Sequence, residues 1–205
     1  MPATATETQE ILAKHHRDGA HFAQLMKTTF AQRFNDAFWQ TWDQWMGEAL
    51  RPGASVLDLG TGPGLFLAEV ARRYPGIKPI GVEIAPWMFE SMSELPPTAQ
   101  VLTADLHDPK LSLASDSVDA ALASVVLHEL NQPVRALQEV HRCLKPGGYF
   151  LVYDWVRAPL SQYLRAQNHE QTAFDLGTTP ATLDDIFTHF IEHNRFSRED
   201  LGYLL

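Results

Sequence analysis

The strongest candidates for ligand binding form a glycine-rich stretch at residues 60–64. Gly60, Gly62 and Gly64 alternate with other residues directly after an apolar run rich in branched side chains. Glycine accepts positive φ and has no Cβ, so such a stretch turns tightly and lets a ligand approach the backbone. Asp58 lies two positions before the first glycine, and Thr61 lies inside the turn. This pattern is typical of a strand–turn–helix unit that holds a nucleotide-like cofactor at the carboxyl end of a parallel strand.

The spacing of the glycines narrows the choice of cofactor. A dinucleotide-binding G-x-G-x-x-G/A turn requires a small residue at position 65, where this chain has Leu65. The G-x-G-x-G stretch behind an acidic residue instead resembles motif I of the class I S-adenosylmethionine-dependent methyltransferases. The resemblance covers roughly Leu50 to Tyr153 and implies that S-adenosyl-L-methionine is the cofactor. The glycine stretch, with Asp58 and Thr61, is then part of the predicted cofactor site.

Two further acidic residues end the next two predicted strands. Glu83 follows the first glycine by about 20 residues, the distance at which such folds place a carboxylate that accepts hydrogen bonds from ribose hydroxyls. A surface glutamate at a strand end is the alternative interpretation. The resemblance implies that Asp105 accepts a hydrogen bond from the adenine amino group, and that Ile84 and Leu106 lie against the adenine. Ser124, among the small residues of the fourth strand, is expected to let the cofactor lie close.

The acceptor side of the site depends on His128 and Asp154. The resemblance implies a histidine after the fourth strand, near the transferred methyl group. A hydroxyl or carboxyl acceptor needs a base, and an imidazole titrates near neutral pH, so His128 is the predicted base. Asp154, at the carboxyl end of the fifth strand, is the second catalytic candidate. A loop histidine that bonds only the backbone is the alternative, and no metal site is predicted.

The elements that must position these residues alternate between strands and helices. Five strand candidates lie at residues 55–59, 78–83, 100–104, 118–125 and 149–155. Helices are predicted at residues 65–74, 86–95 and 133–144, each between two strands. This order predicts an α/β, doubly wound, mostly parallel sheet of the Rossmann-like methyltransferase type.

The resemblance implies two further strands after the segment at residues 196–201, and the sequence has no candidates for them. We therefore expect the fifth strand to be an unprotected edge. Either the chain is short at this end, or a second copy or another partner covers that edge.

Residues 1–50 are predicted to be a helical cap of the same domain, and residues 51–205 the methyltransferase domain. Apolar residues recur at three- and four-residue steps through residues 22–46. Most of these aromatic side chains are expected to pack on the sheet. By resemblance, some of them close over the cofactor.

Composition excludes several classes of function. The net charge of −9 and the pI near 5.4 argue against a broad nucleic-acid or anionic-membrane surface. A single cysteine permits no intrachain disulfide and suits a reducing cytosol. No apolar run approaches the ~20 residues of a membrane span. These features predict a cytoplasmic protein without a membrane or nucleic-acid partner.

The predicted function is methyl transfer to a small-molecule acceptor, with two alternatives. No N-P-P-Y-type tetrapeptide follows the fourth strand, although methyltransferases that modify base amines or glutamine side chains usually carry one there. A methyltransferase acting on protein or RNA is the first alternative. The second is a non-catalytic S-adenosylmethionine-binding module.

Overall fold

A computed structural model describes residues 5–16 and 18–205 of the chain. The contacts within it define two compact units. The first unit comprises the described residues up to Ser124 together with Gln132–Tyr153. The second unit comprises Val125–Asn131 and Asp154–Leu205.

The first unit contains a sheet of five strands. They are β1 (Ser55–Leu59), β2 (Lys78–Glu83), β3 (Gln100–Thr103), β4 (Val118–Ser124) and β5 (Leu144–Tyr153). Their spatial order is β3-β2-β1-β4-β5, and every pair is parallel. The order changes direction between β1 and β4, and ligands of such sheets bind outside the carboxyl ends at that switch point. The predicted doubly wound sheet is therefore confirmed.

The strands at the centre of the sheet are covered on both faces. Four of the five β1 residues and five of the seven β4 residues are buried. This explains why these strands read as continuous apolar runs rather than alternating ones. β5 begins at Leu144, earlier than predicted, because a register shift between Val118 and Ala120 of β4 accommodates the Lys145–Gly148 turn within the strand. Asp154 lies just past its end.

Seven helices of the first unit are described. They are α1 (Ala5–His16), α2 (Gly19–Thr28), α3 (Phe30–Arg33), α4 (Asp36–Met46), α5 (Leu65–Arg73), α6 (Pro86–Glu90) and α7 (Val134–Cys143). The prediction that α6 continues to about residue 95 is wrong. The Ser93 amide instead donates a hydrogen bond to the Pro63 carbonyl at 2.8 Å, so the chain turns back to the glycine stretch.

The aromatic side chains of α4, together with Phe34 at the end of α3, form a buried core in the first unit. Phe34, Phe38, Trp39 and Trp42 pack with Phe66 of α5, and the same buried cluster includes residues of β1 and β4. The expectation that most of these aromatics pack on the sheet is therefore correct. Their burial anchors the helices that precede β1.

The second unit is helical. It contains a 3-10 helix (Leu127–Glu129), α8 (Leu160–Ala166), α9 (Glu170–Phe174), α10 (Pro180–Glu192) and α11 (Arg198–Leu204). Thr179 caps α10 by accepting a hydrogen bond from the Thr182 amide, and Ser197 and Asp200 form a capping box at α11. α8 and α10 share a small core of Tyr163, Leu164 and Ile186.

Two other features follow from the described residues. β5 pairs only with β4 in the described part of the chain, so its other side is an edge, as predicted. None of the described helices combines the length and the apolar character that crossing a bilayer requires.

Candidate functional site

The glycine turn joins β1 to α5 and has the backbone conformation predicted for it. Gly60, Gly62 and Gly64 have φ angles of 64°, 55° and 74°. These angles are in the left-handed region, which favours glycine. A Cβ on Gly62 would meet only the Sδ of Met88, at 3.8 Å, so space in front of this residue is open. A cofactor can therefore approach the backbone at Gly62.

Asp58 ends the buried part of β1 beside the turn. Its side chain is 3% exposed, and its Oδ2 accepts a hydrogen bond from the Thr61 hydroxyl at 2.6 Å. Burial raises the pKa of Asp58 to about 7, while the Thr61 hydrogen bond opposes that rise. Glu83 adds to the rise and Arg33 lowers it. Asp58 is therefore a buried acid whose charge depends on the groups, or the ligand, around it.

Glu83 links the end of β2 to the glycine turn. Its Oε2 accepts a hydrogen bond from the Gly62 amide at 2.8 Å, and its Oε1 accepts from the amides of Ile84 and Ala85, also at 2.8 Å. The side chain is buried, so the alternative of a surface glutamate does not describe it. A carboxylate offers about four acceptor positions, so a ribose would share these oxygens with the backbone amides.

Asp105 follows β3 and contacts α1. Its Oδ2 accepts a hydrogen bond from the Thr8 hydroxyl at 2.6 Å, and its Oδ1 accepts from the His107 amide at 2.9 Å. Gln9 donates from Nε2 to the carbonyl oxygen of Ile84 at 2.9 Å. Two side chains of α1 therefore form hydrogen bonds with residues that directly follow β2 and β3. The side chains of Ile84 and Leu106, the predicted adenine neighbours, are buried.

Arg33 belongs to this part of the molecule but was not predicted from the sequence. Its Nη2 donates to the Met26 carbonyl at 3.0 Å, while its buried Nε has no hydrogen-bond partner among the described residues. Burial lowers the pKa of Arg33, and the nearby charge of Asp58 opposes this. The only signal in the sequence was a cation placed between two phenylalanines of an aromatic segment.

Ser124 is the second residue here with an unsatisfied polar atom. Its Oγ is buried and has no hydrogen-bond partner in the described part of the chain. Ser124 ends β4, the strand that pairs with β1. Buried polar atoms are nearly always hydrogen-bonded in folded proteins. The unsatisfied atoms of Arg33 and Ser124 therefore fit a site that receives a polar ligand.

The second unit contains the two predicted catalytic residues, and it brings them together. His128 Nδ1 lies 2.6 Å from Asp154 Oδ1, and both side chains are almost fully buried. Asp154 Oδ2 also accepts hydrogen bonds from the Leu127 and His128 amides. Because the carboxylate accepts, Nδ1 of His128 carries the proton and the ring presents Nε2 as its basic atom. The ring of His128 thus bonds a carboxylate rather than the backbone.

Two histidines of α10 and its C-cap extend this pair. The His193 ring stacks on the His128 ring with centroids 4.8 Å apart, and the His189 ring lies 4.0 Å from that of His193. His193 also donates from Nδ1 to the His189 carbonyl at 2.9 Å. Nothing in the sequence indicates that these two histidines lie near residue 128. Their spacing of four residues was the only available signal.

Comparisons with known proteins agree with this geometry. Residues 57–152 match a family model described as a methyltransferase domain. An uncharacterized methyltransferase of Mycobacteroides abscessus is 36% identical over 125 residues, which are 58% of this chain and 46% of that protein. The ubiquinone/menaquinone biosynthesis C-methyltransferase UbiE of Syntrophotalea carbinolica is 31% identical over 109 residues, 52% of this chain and 46% of that protein. The chain thus spans about half the length of these relatives.

A solved structure has the same fold over nearly the whole chain. It is that of Haemonchus contortus phosphoethanolamine N-methyltransferase 2 in complex with S-adenosyl-L-methionine. It matches with a TM-score of 0.64 at 15% identity and covers 96% of this chain and 43% of that protein. At this identity the likeness concerns the fold.

Proposed function

We propose that the chain, whose residues 57–152 match a methyltransferase domain, transfers a methyl group from S-adenosylmethionine to a small-molecule acceptor. The observation that carries the proposal is the convergence of Asp58, Gly62 and Glu83 where β1 and β2 end. The open space at Gly62 and the unsatisfied atoms of Arg33 and Ser124 support it.

We assign the parts of the cofactor to residues of the first unit by their chemistry. Glu83 would accept hydrogen bonds from the ribose hydroxyls, and Asp105 from the adenine amino group. Ile84 and Leu106 supply apolar surface for the adenine ring. The guanidinium of Arg33 suits the carboxylate of the methionine moiety, because guanidinium pairs with carboxylates in a bidentate geometry.

The bound cofactor supplies a methyl group already activated by a sulfonium. The protein therefore has to position the acceptor and exclude water, and positioning alone can supply roughly 7–11 kcal/mol of a barrier. His128 would take the proton of a hydroxyl acceptor at Nε2, since Asp154 holds the other nitrogen. Asp154 thus orients the base and balances the charge that the imidazole acquires.

The small-molecule assignment is supported by the paired His128 and by the acidic composition. A net charge of −9 disfavours nucleic-acid acceptors. Two alternatives differ from this proposal in their acceptor. A protein or RNA methyltransferase would methylate a macromolecule, and a non-catalytic cofactor-binding module would methylate nothing. The S. carbinolica relative is named a quinone-pathway C-methyltransferase, which places small aromatic compounds among the acceptors to be tried here.

Calorimetry and turnover together test the proposal. S-adenosylmethionine and S-adenosylhomocysteine should both bind the wild-type chain, and Gly62→Val should abolish both affinities while the circular dichroism spectrum stays unchanged. Formation of S-adenosylhomocysteine with a panel of phenols, quinols, amines and carboxylates then tests catalysis. Binding without turnover on any acceptor would favour the binding module. Unchanged binding by Gly62→Val would remove the basis of the assignment.

We also propose that the free edge of β5 pairs with a second copy of the chain or with another partner. Unpaired backbone N–H and C=O groups on an edge strand are a template for a further strand. Tyr149 and Tyr153 of β5 are 44% and 40% exposed, so apolar surface accompanies that edge. Light scattering over a range of concentrations should show a dimer. A monomer at all concentrations would exclude the second copy as the partner.

A further inference from the structure

A cavity of about 260 Å³ lies within the second unit. The segment after β5 forms one side of it, with Trp155, Val156 and Ala158, and α8 forms another with Tyr163. His193, at the end of α10, completes the wall next to Asp154. Both Asp154 and His193 contact the ring of His128. A ligand in this cavity would therefore lie beside the buried histidine–carboxylate pair.

The walls of the cavity are mainly aromatic and apolar. The ring of Trp155 meets His193 edge-on with centroids 5.7 Å apart and remains 44% exposed. The Tyr163 ring is buried beneath, and Gln162 and Gln167 add amide groups to the lining. Aromatic walls with a few polar groups are the usual composition of a small-molecule site. The volume suits a ligand of one or two rings.

The charges around the cavity select a neutral ligand. No lysine or arginine is among its lining residues in the described chain, so an anionic group would find no countercharge. The two oxygens of Asp154 already accept hydrogen bonds from three backbone amides and from His128. The carboxylate is thus satisfied without a ligand cation and would repel a ligand anion.

We propose that this cavity binds a neutral aryl hydroxyl compound, with the hydroxyl group toward the wall formed by Asp154 and His193. This ligand site belongs to the second unit alone and does not depend on the proposed function.

Binding measured without cofactor tests the site independently of methyl transfer. Three probes of matched shape are compared by calorimetry: 2-naphthol, naphthalene and 2-naphthoate. We expect 2-naphthol to bind, and the other two to bind at least about tenfold more weakly, because naphthalene lacks the hydroxyl and 2-naphthoate brings an unpaired charge. 2-Naphthylmethylamine is the fourth probe. It should bind at least about tenfold more weakly than 2-naphthol, because the hydrogen bonds of the Asp154 carboxylate are already satisfied and its ammonium group would find no free anion.

Two matched alanine-to-leucine substitutions localise the binding. Ala166 lines the cavity from α8, whereas Ala181 lies exposed on α10 and is not among the lining residues. Ala166→Leu should weaken 2-naphthol binding at least about tenfold by filling space, and Ala181→Leu should leave it unchanged. Equal effects of the two variants would overturn the location.

The ligand class is overturned if naphthalene or 2-naphthoate binds as well as 2-naphthol, or if the amine binds best. Absence of 2-naphthol binding, with native circular dichroism, overturns the proposal outright. If 2-naphthol binds here but S-adenosylhomocysteine does not bind the chain, the aryl hydroxyl site stands and the proposed methyl transfer fails. If S-adenosylhomocysteine binds the chain but 2-naphthol does not, the aryl hydroxyl site fails and the proposed methyl transfer is unaffected.

Discussion

The Gly62 amide donates a hydrogen bond to Glu83 Oε2 at 2.8 Å, from the turn after β1 to the last residue of β2. The carboxylate of Glu83, which was predicted to bind the ribose, therefore also stabilises the glycine turn. It also accepts from the amides of Ile84 and Ala85 with its other oxygen. The same side chain thus has a structural role in the turn and, in the proposed function, a binding role for the ribose.

Glu83→Gln should weaken both roles. The amide group replaces one acceptor with a donor that faces a backbone N–H, so we expect a loss of about 1–3 kcal/mol in the free energy of unfolding. We also expect at least about tenfold weaker binding of S-adenosylhomocysteine, which loses a charge-assisted hydrogen bond. Urea denaturation and calorimetry measure the two effects. Glu90→Gln, at an exposed position of α6, is the control and should change neither quantity.

Arg33→Met should reduce cofactor affinity without unfolding the protein. Methionine fills similar space and avoids burying a guanidinium, so we expect the unfolding midpoint to hold or rise. S-adenosylhomocysteine should bind at least about tenfold more weakly, because its carboxylate loses its cation. 5′-Methylthioadenosine, which lacks that carboxylate, should bind both proteins equally. Equal losses for both ligands would show that Arg33 acts on the fold and not on the carboxylate.

Asp58 should make stability depend on pH in a defined window. Its pKa is raised to about 7 in the folded state, whereas an unfolded aspartate titrates near 4. Between these values the folded protein holds a proton that the unfolded chain has released. The free energy of unfolding therefore falls as pH rises from about 4 to 7, by at most about 1.4 kcal/mol per pH unit from this group.

Asp58→Asn should remove that contribution. Urea denaturation of the wild type and the variant at several pH values gives the difference in slope, which cancels the titration of other groups. Asp116→Asn, at an exposed turn, serves as the control. Parallel slopes for wild type and Asp58→Asn would contradict a raised pKa for this residue.

His128→Asn should slow methyl transfer and spare cofactor binding. General-base catalysis contributes roughly 10²- to 10⁴-fold, so kcat should fall within that range for a hydroxyl acceptor, while the Kd of S-adenosylhomocysteine stays unchanged. Stopped-assay kinetics and calorimetry measure the two. His141→Asn, at an exposed position of α7, is the matched control. An unchanged kcat would show that His128 has only a structural role.

The sequence was sufficient to predict the parts of the molecule that depend on local patterns. The glycine spacing predicted the turn, and the apolar runs placed Glu83 and Asp105 at or just after strand ends. The length of α6 was not predictable, because it depends on the hydrogen bond between Ser93 and Pro63. A role for Arg33 could not be predicted, because its proximity to Asp58 comes from packing rather than from spacing in the sequence.

The pairing of His128 with Asp154 could not be predicted, for a related reason. Each residue was a candidate alone, but only the structure brings them within 2.6 Å. The stacking of His193 on His128 joins residues far apart in the chain. Neither contact leaves a periodic or compositional trace in a single sequence.

Val125, directly after β4, has a φ angle of 55°. A branched side chain is strained in this region, at roughly 1–3 kcal/mol. Val125→Gly would relieve that strain, but glycine also increases the entropy of the unfolded chain and gives the segment leading to His128 more freedom. The strained valine therefore restricts the positions that the imidazole of His128 can adopt, and a glycine here would loosen the proposed base.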